Sequence, residues 1–297
     1  MGLGLLILIL AVIFIVRGGN VLCIKLAQQN RVSSLRQTIV FMFFFSLFQV
    51  LLYFILPPYG FQKLDSGFIV FPLCFAVFYL ASNIFLLLAI SIGSAAMSNT
   101  IHQFSPVVPI VYGLVFWNER LSFAQCIGLL LFTVSILLIN KSDYSVKGLK
   151  HKSSVKWLIY SVLAAASAGI SVIFTKQCML KFPHLAKEYL IIFTLIATAA
   201  ALLGSLLYSR PDLRKLSRDK SFLLYIAAAA LMFNINNYIF VLYIAKIQSA
   251  VFLTIMSCIT MISIAVMGRA ILKEKLSRRA VCAILICVLS IILVNIK

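Results

Sequence analysis

Four side chains at helical spacing interrupt an apolar part of the sequence. Asn99, His102, Gln103 and Pro106 stand in SNTIHQFSPVVP, residues 98–109. Their i, i+3, i+4, i+7 spacing predicts one helix face, where an imidazole and two carboxamides offer hydrogen-bond donors and acceptors. Pro106 has no N–H, so the carbonyl of His102 is left for water or a neighbouring group. The stretch predicts a hydrogen-bonding site in which His102 binds a ligand and, as a further hypothesis, senses protons.

Other polar faces occur in the middle of apolar spans. Two triplets share i, i+3, i+4 spacing, and a weaker face accompanies them. The members are Tyr79, Ser82 and Asn83; Asn234, Asn237 and Tyr238; and, on the weaker face, Thr254 and Ser257. Polar groups that face lipid are costly, so we expect these to face the bundle interior. Hydrogen bonds that only join helices, worth about 1 kcal/mol each, are the alternative, but the faces together favour a cavity.

The acidic residues and cysteines argue against several kinds of chemistry. None of the seven Asp and Glu residues lies in the middle of an apolar span, which disfavours a cation exchanger built on a membrane carboxylate. His102 has no nucleophile–base partner and no metal-ligand cluster at helical spacing, which argues against an enzyme. The seven cysteines lie in or beside apolar spans without a CxxC pair, so they indicate neither a disulfide nor a zinc framework. We predict no metal and no other cofactor.

Membrane-spanning helices must position these polar faces. Of the 297 residues, 63% are hydrophobic and only 11% are charged. Apolar runs of about 20 residues, long enough to cross a bilayer as helices, recur along the chain. They predict an all-α integral membrane protein with ten transmembrane spans: 3–24, 36–57, 67–88, 94–116, 122–140, 156–176, 188–208, 221–243, 249–270 and 279–296. The first span lacks a basic n-region and a cleavage site, so we interpret it as a retained helix.

The basic residues lie mainly in the loops between the spans. The formal net charge is +19, but this distribution indicates topology signals and contacts with anionic lipid rather than nucleic-acid binding. The loops after spans 1, 3, 5, 7 and 9 carry 18 Lys and Arg residues against 7 on the other side. This asymmetry predicts that those loops are cytoplasmic and both termini external. Arg17 stands inside a span, where it either extends to the interface or meets an anionic ligand group.

The chain contains an internal repeat. A shift of 155 residues superposes two similar loops, and a shift of 151 superposes two Gly-then-Lys pairs. These are NERLS (118–122) with KEKLS (273–277), and Gly18 and Lys25 with Gly169 and Lys176. We therefore divide the chain into five-helix halves, 1–140 and 154–297, and a basic linker, 141–153. Because five is odd, the second half must enter the membrane in the opposite sense, which predicts an inverted repeat with a binding site between its halves.

These features resemble the drug/metabolite transporter superfamily, in its ten-helix EamA-type branch. The resemblance covers the whole chain and rests on the two Glu-(Arg/Lys)-Leu-Ser loops followed by apolar helices, on Pro106, and on the Gly-then-Lys pattern. It implies transport of metabolites or drugs. Arg17 replaces the family's usual Trp, and Met261 stands where a second proline is common. Most characterised members are thought to have cytoplasmic termini, which opposes the orientation predicted from charge.

The residues and the resemblance together predict a secondary transporter in the plasma membrane. Neutral, hydrogen-bonding walls suit a small polar substrate, neutral or zwitterionic like an amino acid, that moves by alternating access through a central cavity. One alternative is an organic-cation transporter in which Phe75, Phe78, Tyr79 and Tyr238 form an aromatic cage. Another is a non-transporting membrane scaffold. The predicted partners are the small-molecule substrate and the lipid bilayer, and the oligomeric state is left open, a monomer included.

Some residues at the span ends are predicted to be structural. Glu119 precedes the start of a helix, where Ser122 and Gln125 form a capping box. Lys176 ends a span and is predicted to lie at the membrane interface. The small residues of AAASAGIS, 164–171, are predicted to let helices pack closely.

Overall fold

Over the residues that the structure describes, the regular structure is entirely helical. The computed structural model describes residues 3–28, 35–55, 65, 67–92, 98, 101–140, 151–272 and 278–296. Eleven helices occupy these ranges: α1 (Leu3–Gln28), α2 (Leu35–Ile55), α3 (Val70–Ile92), α4 (Val107–Phe116), α5 (Phe123–Asn140), α6 (His151–Lys181), α7 (Ala186–Tyr208), α8 (Arg210–Leu216), α9 (Lys220–Ile244), α10 (Ser249–Leu272) and α11 (Arg278–Val294). The predicted all-α class is confirmed for this part of the chain.

Most of these helices have the length and composition of membrane spans. Among the described residues, seven helices are long and apolar enough to cross a bilayer, and α4, α5 and α11 contain shorter apolar segments. Large apolar side chains such as Phe123 and Leu207 remain exposed on the outside of the bundle, as contact with lipid requires. The protein is therefore a multi-pass integral membrane protein. Each of the ten predicted spans overlaps one of these helices, while the number of crossings stays a prediction.

The fourth predicted span is not one continuous α-helix. The sequence predicts a helix over 94–116, but turns occupy 103–106 and α4 begins only at Val107. Pro106 stands at the N-cap of α4. A proline lacks the N–H of a helical hydrogen bond and disfavours helical geometry at the preceding residue, which accounts for the interruption.

This interruption changes the environment of the His102 backbone. Ser105 N donates to the carbonyl of His102 at 3.0 Å, an i→i+3 bond of the tighter 3₁₀ kind. A neighbouring group, the backbone N–H of Ser105, therefore satisfies this carbonyl, which is one of the two outcomes that the sequence predicts. His102, Gln103 and Pro106 do not share one continuous helix face, however, and Asn99 lies outside the described residues.

Local sequence signals explain two helix starts. The capping box before α5 is confirmed, because Ser122 N donates to Gln125 Oε1 at 2.9 Å and Gln125 N donates to Ser122 Oγ at 3.3 Å. The segment between the predicted spans 188–208 and 221–243 contains the short helix α8, with Pro211 in its first turn. Proline is tolerated there because the first N–H groups of a helix have no intrahelical partner, and the apolar-run criterion overlooked so short a polar helix.

Helix packing follows the internal repeat. The pair α3–α6 becomes the pair α9–α1 when the two halves are exchanged, and both pairs pack along each other. In the same way α1–α10 corresponds to α6–α4, and α2–α9 corresponds to α7–α3. The pairs α2–α7 and α5–α11 each map onto themselves. The two halves therefore contribute equivalent helices to equivalent interfaces.

Two repeat-related glycines lie at matching close approaches. A Cβ on Gly18 of α1 would lie 3.2 Å from Ser263 Cβ of α10, and a Cβ on Gly169 of α6 would lie 2.5 Å from Val108 Cβ of α4. The shift of 151 relates the two glycines, and the shift of 155 relates Val108 to Ser263. The sequence repeat thus recurs as equivalent helix contacts, which need residues without a side chain.

Candidate functional site

A cavity of about 380 Å³ lies between the two halves of the chain. Side chains of α1, α3, α6, α7, α9 and α10, and of the turns before α4, line it. This volume falls in the usual range of small-molecule sites. Amide and hydroxyl groups share the lining with one guanidinium and several aromatic rings, so the cavity offers both polar and apolar contacts.

Repeat-related positions build much of this cavity. Four pairs of lining residues exchange under the two repeat shifts: Arg17 with Ala168, Asn20 with Ser171, and Val21 with Val172 at 151, and Ser105 with Thr260 at 155. The first pair is chemically unequal, because one half supplies a cation where the other supplies a methyl group. The cavity is therefore lined by equivalent helices of both halves, apart from α7, whose equivalent α2 contributes no lining residue among those described, and it is asymmetric in its charge.

Arg17 lies well inside the bundle. It stands 14 residues from the start of α1 and 11 from its end, which is about 21 Å and about 16 Å along the axis at 1.5 Å per residue. Its Nε donates to Asn236 Oδ1 at 2.7 Å, and its Nη1 donates to Thr260 Oγ1 at 2.5 Å. These bonds to α9 and α10 hold the guanidinium at the cavity, so of the two predictions for Arg17 the extension to the interface does not occur.

His102 is linked to the other half of the chain through Ser82. Its Nε2 lies 3.1 Å from Ser82 Oγ of α3, and that hydroxyl donates to the carbonyl of Ala164 in α6 at 2.9 Å. Ser82 has a single hydrogen to donate, so its oxygen accepts from His102 and Nε2 carries the proton. In the neutral ring Nδ1 is then an acceptor. The two bonds connect α3, α6 and the turns before α4.

The structure brings some of the predicted site residues to the cavity and not others. Tyr79, His102 and Asn237 line it. The remaining described candidates are not among its lining residues: Ser82, Asn83, Gln103, Asn234, Tyr238, Thr254 and Ser257. Asn99 lies outside the described residues.

The candidates away from the cavity have other surroundings. Asn83 Nδ2 donates to the carbonyl of Tyr79 in its own helix at 2.7 Å. Asn234 Nδ2 donates to the carbonyl of Gln49 in α2 at 3.0 Å, which fits the alternative of a residue that joins helices rather than the predicted binding role. The side chain of Tyr238 is 46% exposed on the outside of the bundle. Thr254 is fully buried, and its hydroxyl has no hydrogen-bond partner among the described residues.

Sequence reasoning missed several polar residues of the lining. Asn20, Asn236, Ser171 and Thr175 all line the cavity. Asn236 stands between two members of a predicted triplet, and Ser171 belongs to the small-residue stretch that was assigned to packing alone. The repeat alignment was the available signal, since it relates Asn20 to Ser171.

Aromatic rings make up much of the cavity lining. Six rings line it: Phe75, Tyr79, Tyr189, Phe193, Phe233 and Phe240. Phe75 is in contact with Tyr79 and Phe193, with ring centroids 5.7 and 4.6 Å apart. Phe78 of the predicted aromatic cage stacks instead on Phe174. The rings form a wall rather than the four-residue cage predicted from sequence.

A buried ion pair joins the halves one residue beyond cavity-lining Thr175. Lys176 Nζ lies 2.5 Å from Glu119 Oε1, and their side chains are 5% and 9% exposed. Lys176 also donates to Ser249 Oγ at 2.9 Å, and Glu119 accepts from Ser249 N at the start of α10. Glu119 is thus structural, as predicted, whereas Lys176 is buried against protein rather than exposed at an interface.

Comparisons with known proteins agree with this architecture. The model of the EamA-like transporter family matches the chain twice, over residues 2–141 and 155–296. A solved crystal structure whose description names no function superposes with a TM-score of 0.73 at 12% sequence identity, covering 96% of this chain and 97% of that chain. At this identity the likeness concerns the fold alone. No curated protein matches the chain. Since the two family matches together span nearly its whole length, the chain belongs to the EamA-like transporter family of the drug/metabolite transporter superfamily.

Proposed function

We propose that this protein is a secondary transporter that moves a small polar solute, neutral or zwitterionic and amino-acid-like, by alternating access through the cavity between its halves. In this proposal ten helices cross the plasma membrane as two inverted repeats, 1–140 and 154–297. The observation that carries it is the cavity lining, in which repeat-related residues of both halves face one space. Inverted-repeat transporters bind their substrates at such an interface and open it to each side in turn.

Solute counterflow tests this function directly. Liposomes that contain the purified protein are loaded with an unlabelled amino-acid mixture and diluted into a labelled one. We expect labelled solute to accumulate above the level of protein-free liposomes, because a carrier exchanges solutes that a scaffold does not. A second set with tetraethylammonium tests the organic-cation alternative, which the aromatic wall favours. Absence of accumulation in both sets would leave the scaffold as the better account.

Asn237 is predicted to act on solute binding. It lines the cavity, and its side chain makes no hydrogen bond to other described residues, so its amide is available to a solute. We expect Asn237→Ala to weaken solute affinity about tenfold, the loss of roughly one hydrogen bond, with little change in melting temperature. Asn83→Ala is the matched control, because Asn83 bonds within its own helix. Equal loss of affinity in both variants would remove Asn237 from the site.

His102 is predicted to bind solute and to set a pH dependence. His102→Gln retains a donor for Ser82 but does not titrate, so we expect transport to persist and its variation to flatten between about pH 5.5 and about pH 8, a range around the reference pKa of histidine. The other ionisable groups of the lining, Arg17, Tyr79 and Tyr189, titrate far above this range as free side chains. An unchanged pH profile in His102→Gln would exclude the proton role, and normal transport by His102→Ala would exclude His102 from the site.

The charge asymmetry predicts the orientation in the membrane. We expect an impermeant thiol reagent to label Asn295→Cys in intact cells and to spare Ser145→Cys, both in a chain without native cysteines. Ser145 belongs to the basic linker, outside the described residues, and Asn295 is exposed near the C-terminus. The reverse labelling pattern would establish cytoplasmic termini and contradict the positive-inside assignment.

A further inference from the structure

The guanidinium of Arg17 has no acidic partner among the described residues at the cavity. Its two hydrogen bonds go to uncharged groups, the amide oxygen of Asn236 and the hydroxyl of Thr260. Among the described residues that line the cavity there is no Asp or Glu. A guanidinium has five N–H groups, so three of those on Arg17 have no partner in the described part of the chain.

Both partners of Arg17 are themselves held in place. Thr260 Oγ1 donates to the carbonyl of Met256 at 2.7 Å, so its oxygen is free to accept from Arg17. Asn236 is buried, with 9% of its surface exposed. The guanidinium is therefore fixed from the α9 and α10 sides, and a planar group fixed in this way is suited to bidentate binding of a carboxylate.

An unpaired cation at this depth is costly. Charges inside a membrane bundle are retained where they pair with an opposite charge or serve a substrate pathway. The internal repeat also indicates a functional role for this charge. The position related to Arg17 in the other half is Ala168, so helix packing at this position does not itself require a cation. The missing counterion is best supplied by the solute.

We propose that the cavity takes a carboxylate, paired with Arg17, whose apolar body lies against the aromatic wall. The assignment rests on the proposed transport function and specifies its substrate class as organic carboxylates, zwitterionic amino acids among them, rather than uncharged solutes. The wall provides rings of Phe75, Phe193 and Phe240 for an apolar, ring-sized body. The cation of Arg17 in the same cavity repels an ammonium group, so organic cations are the disfavoured class.

Four probes that share a phenylpropyl body isolate the effect of charge. They are 3-phenylpropanoate, 3-phenylpropan-1-ol, 3-phenylpropan-1-amine and phenylalanine, and their affinities are measured on the purified full chain at neutral pH by the ligand-dependent rise in melting temperature. We expect both carboxylate probes to bind more tightly than the alcohol and the amine. Arg17→Met should weaken 3-phenylpropanoate about 100-fold and the alcohol about tenfold or less, because the alcohol loses a hydrogen bond and no charge pair. Arg17→Lys keeps the positive charge and loses the planar guanidinium, so its affinity for 3-phenylpropanoate should lie between those of wild type and Arg17→Met.

Other results would overturn the assignment. If the amine or the alcohol binds the wild-type protein as tightly as 3-phenylpropanoate, the carboxylate assignment is wrong. This comparison uses no variant, so it remains decisive if Arg17→Met does not fold. A lower melting temperature in Arg17→Met with unchanged affinity for 3-phenylpropanoate would show that Arg17 only ties helices together.

The failures of this inference and of the transport function are distinguishable. If counterflow occurs and is equal in wild type and Arg17→Met, the transporter stands and the carboxylate assignment fails. If 3-phenylpropanoate binds in an Arg17-dependent way while liposomes exchange no solute, the assignment stands and the transport function fails.

Discussion

Lys176→Met is expected to lower the free energy of unfolding by about 3 kcal/mol or more, the typical cost of leaving one partner of a buried ion pair without the other. Met keeps much of the length of the lysine stem but loses the cation–π contact of Nζ with Trp117, whose ring centroid lies 4.7 Å from Nζ. The carboxylate of Glu119, 9% exposed, would then be buried without its cation. Thermal unfolding of the purified chain, followed by loss of helical signal, measures the effect.

The matched control removes both charges together. In Lys176→Met with Glu119→Gln no unpaired charge remains, and the glutamine oxygen still accepts from Ser249 N at the start of α10. We therefore expect the double variant to recover most of the stability that Lys176→Met loses. A double variant less stable than Lys176→Met, or a single variant as stable as wild type, would show that the pair does not hold the two halves together.

Gly169→Ala is expected to have the second large effect, on both stability and transport. The new Cβ would lie 2.6 Å from the backbone oxygen of Ser105 and 2.5 Å from Val108 Cβ, so the turns before α4 must move away from α6. Overpacking of this kind costs about 1–3 kcal/mol. Ser105 and Ala168, on either side of the contact, both line the cavity, so its shape changes as well. Melting temperature and counterflow, measured on the same preparation, are the two readouts.

Two other glycines provide graded controls. Gly18→Ala places its Cβ 2.3 Å from Met267 Sδ, an atom of a flexible side chain, and should be milder although the repeat relates it to Gly169. Gly67→Ala meets nothing within 4 Å and should be nearly neutral. The expected order of destabilisation is Gly169, then Gly18, then Gly67. If Gly169→Ala and Gly67→Ala lower the melting temperature equally, α4 and α6 do not pack closely at Gly169.

The helices were largely predictable because lipid imposes a long apolar run on each span. The interruption of the fourth span was less predictable, because a proline can stand in a helix that continues past it or can end one, and the apolar run around Pro106 does not distinguish the two. The burial of Lys176 was not predictable from its position at a span end. It depends on Glu119, 57 residues away in sequence, and only tertiary packing brings the two together.

The site was predictable in part for a geometric reason. Each residue advances a helix by about 100°, so Asn237 faces the cavity while Tyr238, next in sequence, lies on the outside of the bundle. Spacing identifies a face but not the direction in which it points. The role of Arg17 depends on Asn236 and Thr260, 219 and 243 residues away, and no local pattern indicates such contacts.

Access to the cavity from both sides of the membrane tests the central claim most directly, and it needs no knowledge of the solute. A single cysteine replaces Ala168, which lines the cavity, in a chain without native cysteines, and an impermeant sulfonate-bearing thiol reagent is applied to oriented vesicles from outside or from inside. Ala164→Cys, one turn earlier and fully buried, is the control and should react from neither side. Alternating access predicts that Ala168→Cys reacts from each side, because the cavity opens to each in turn. Reaction from one side only, whichever side that is, would contradict it.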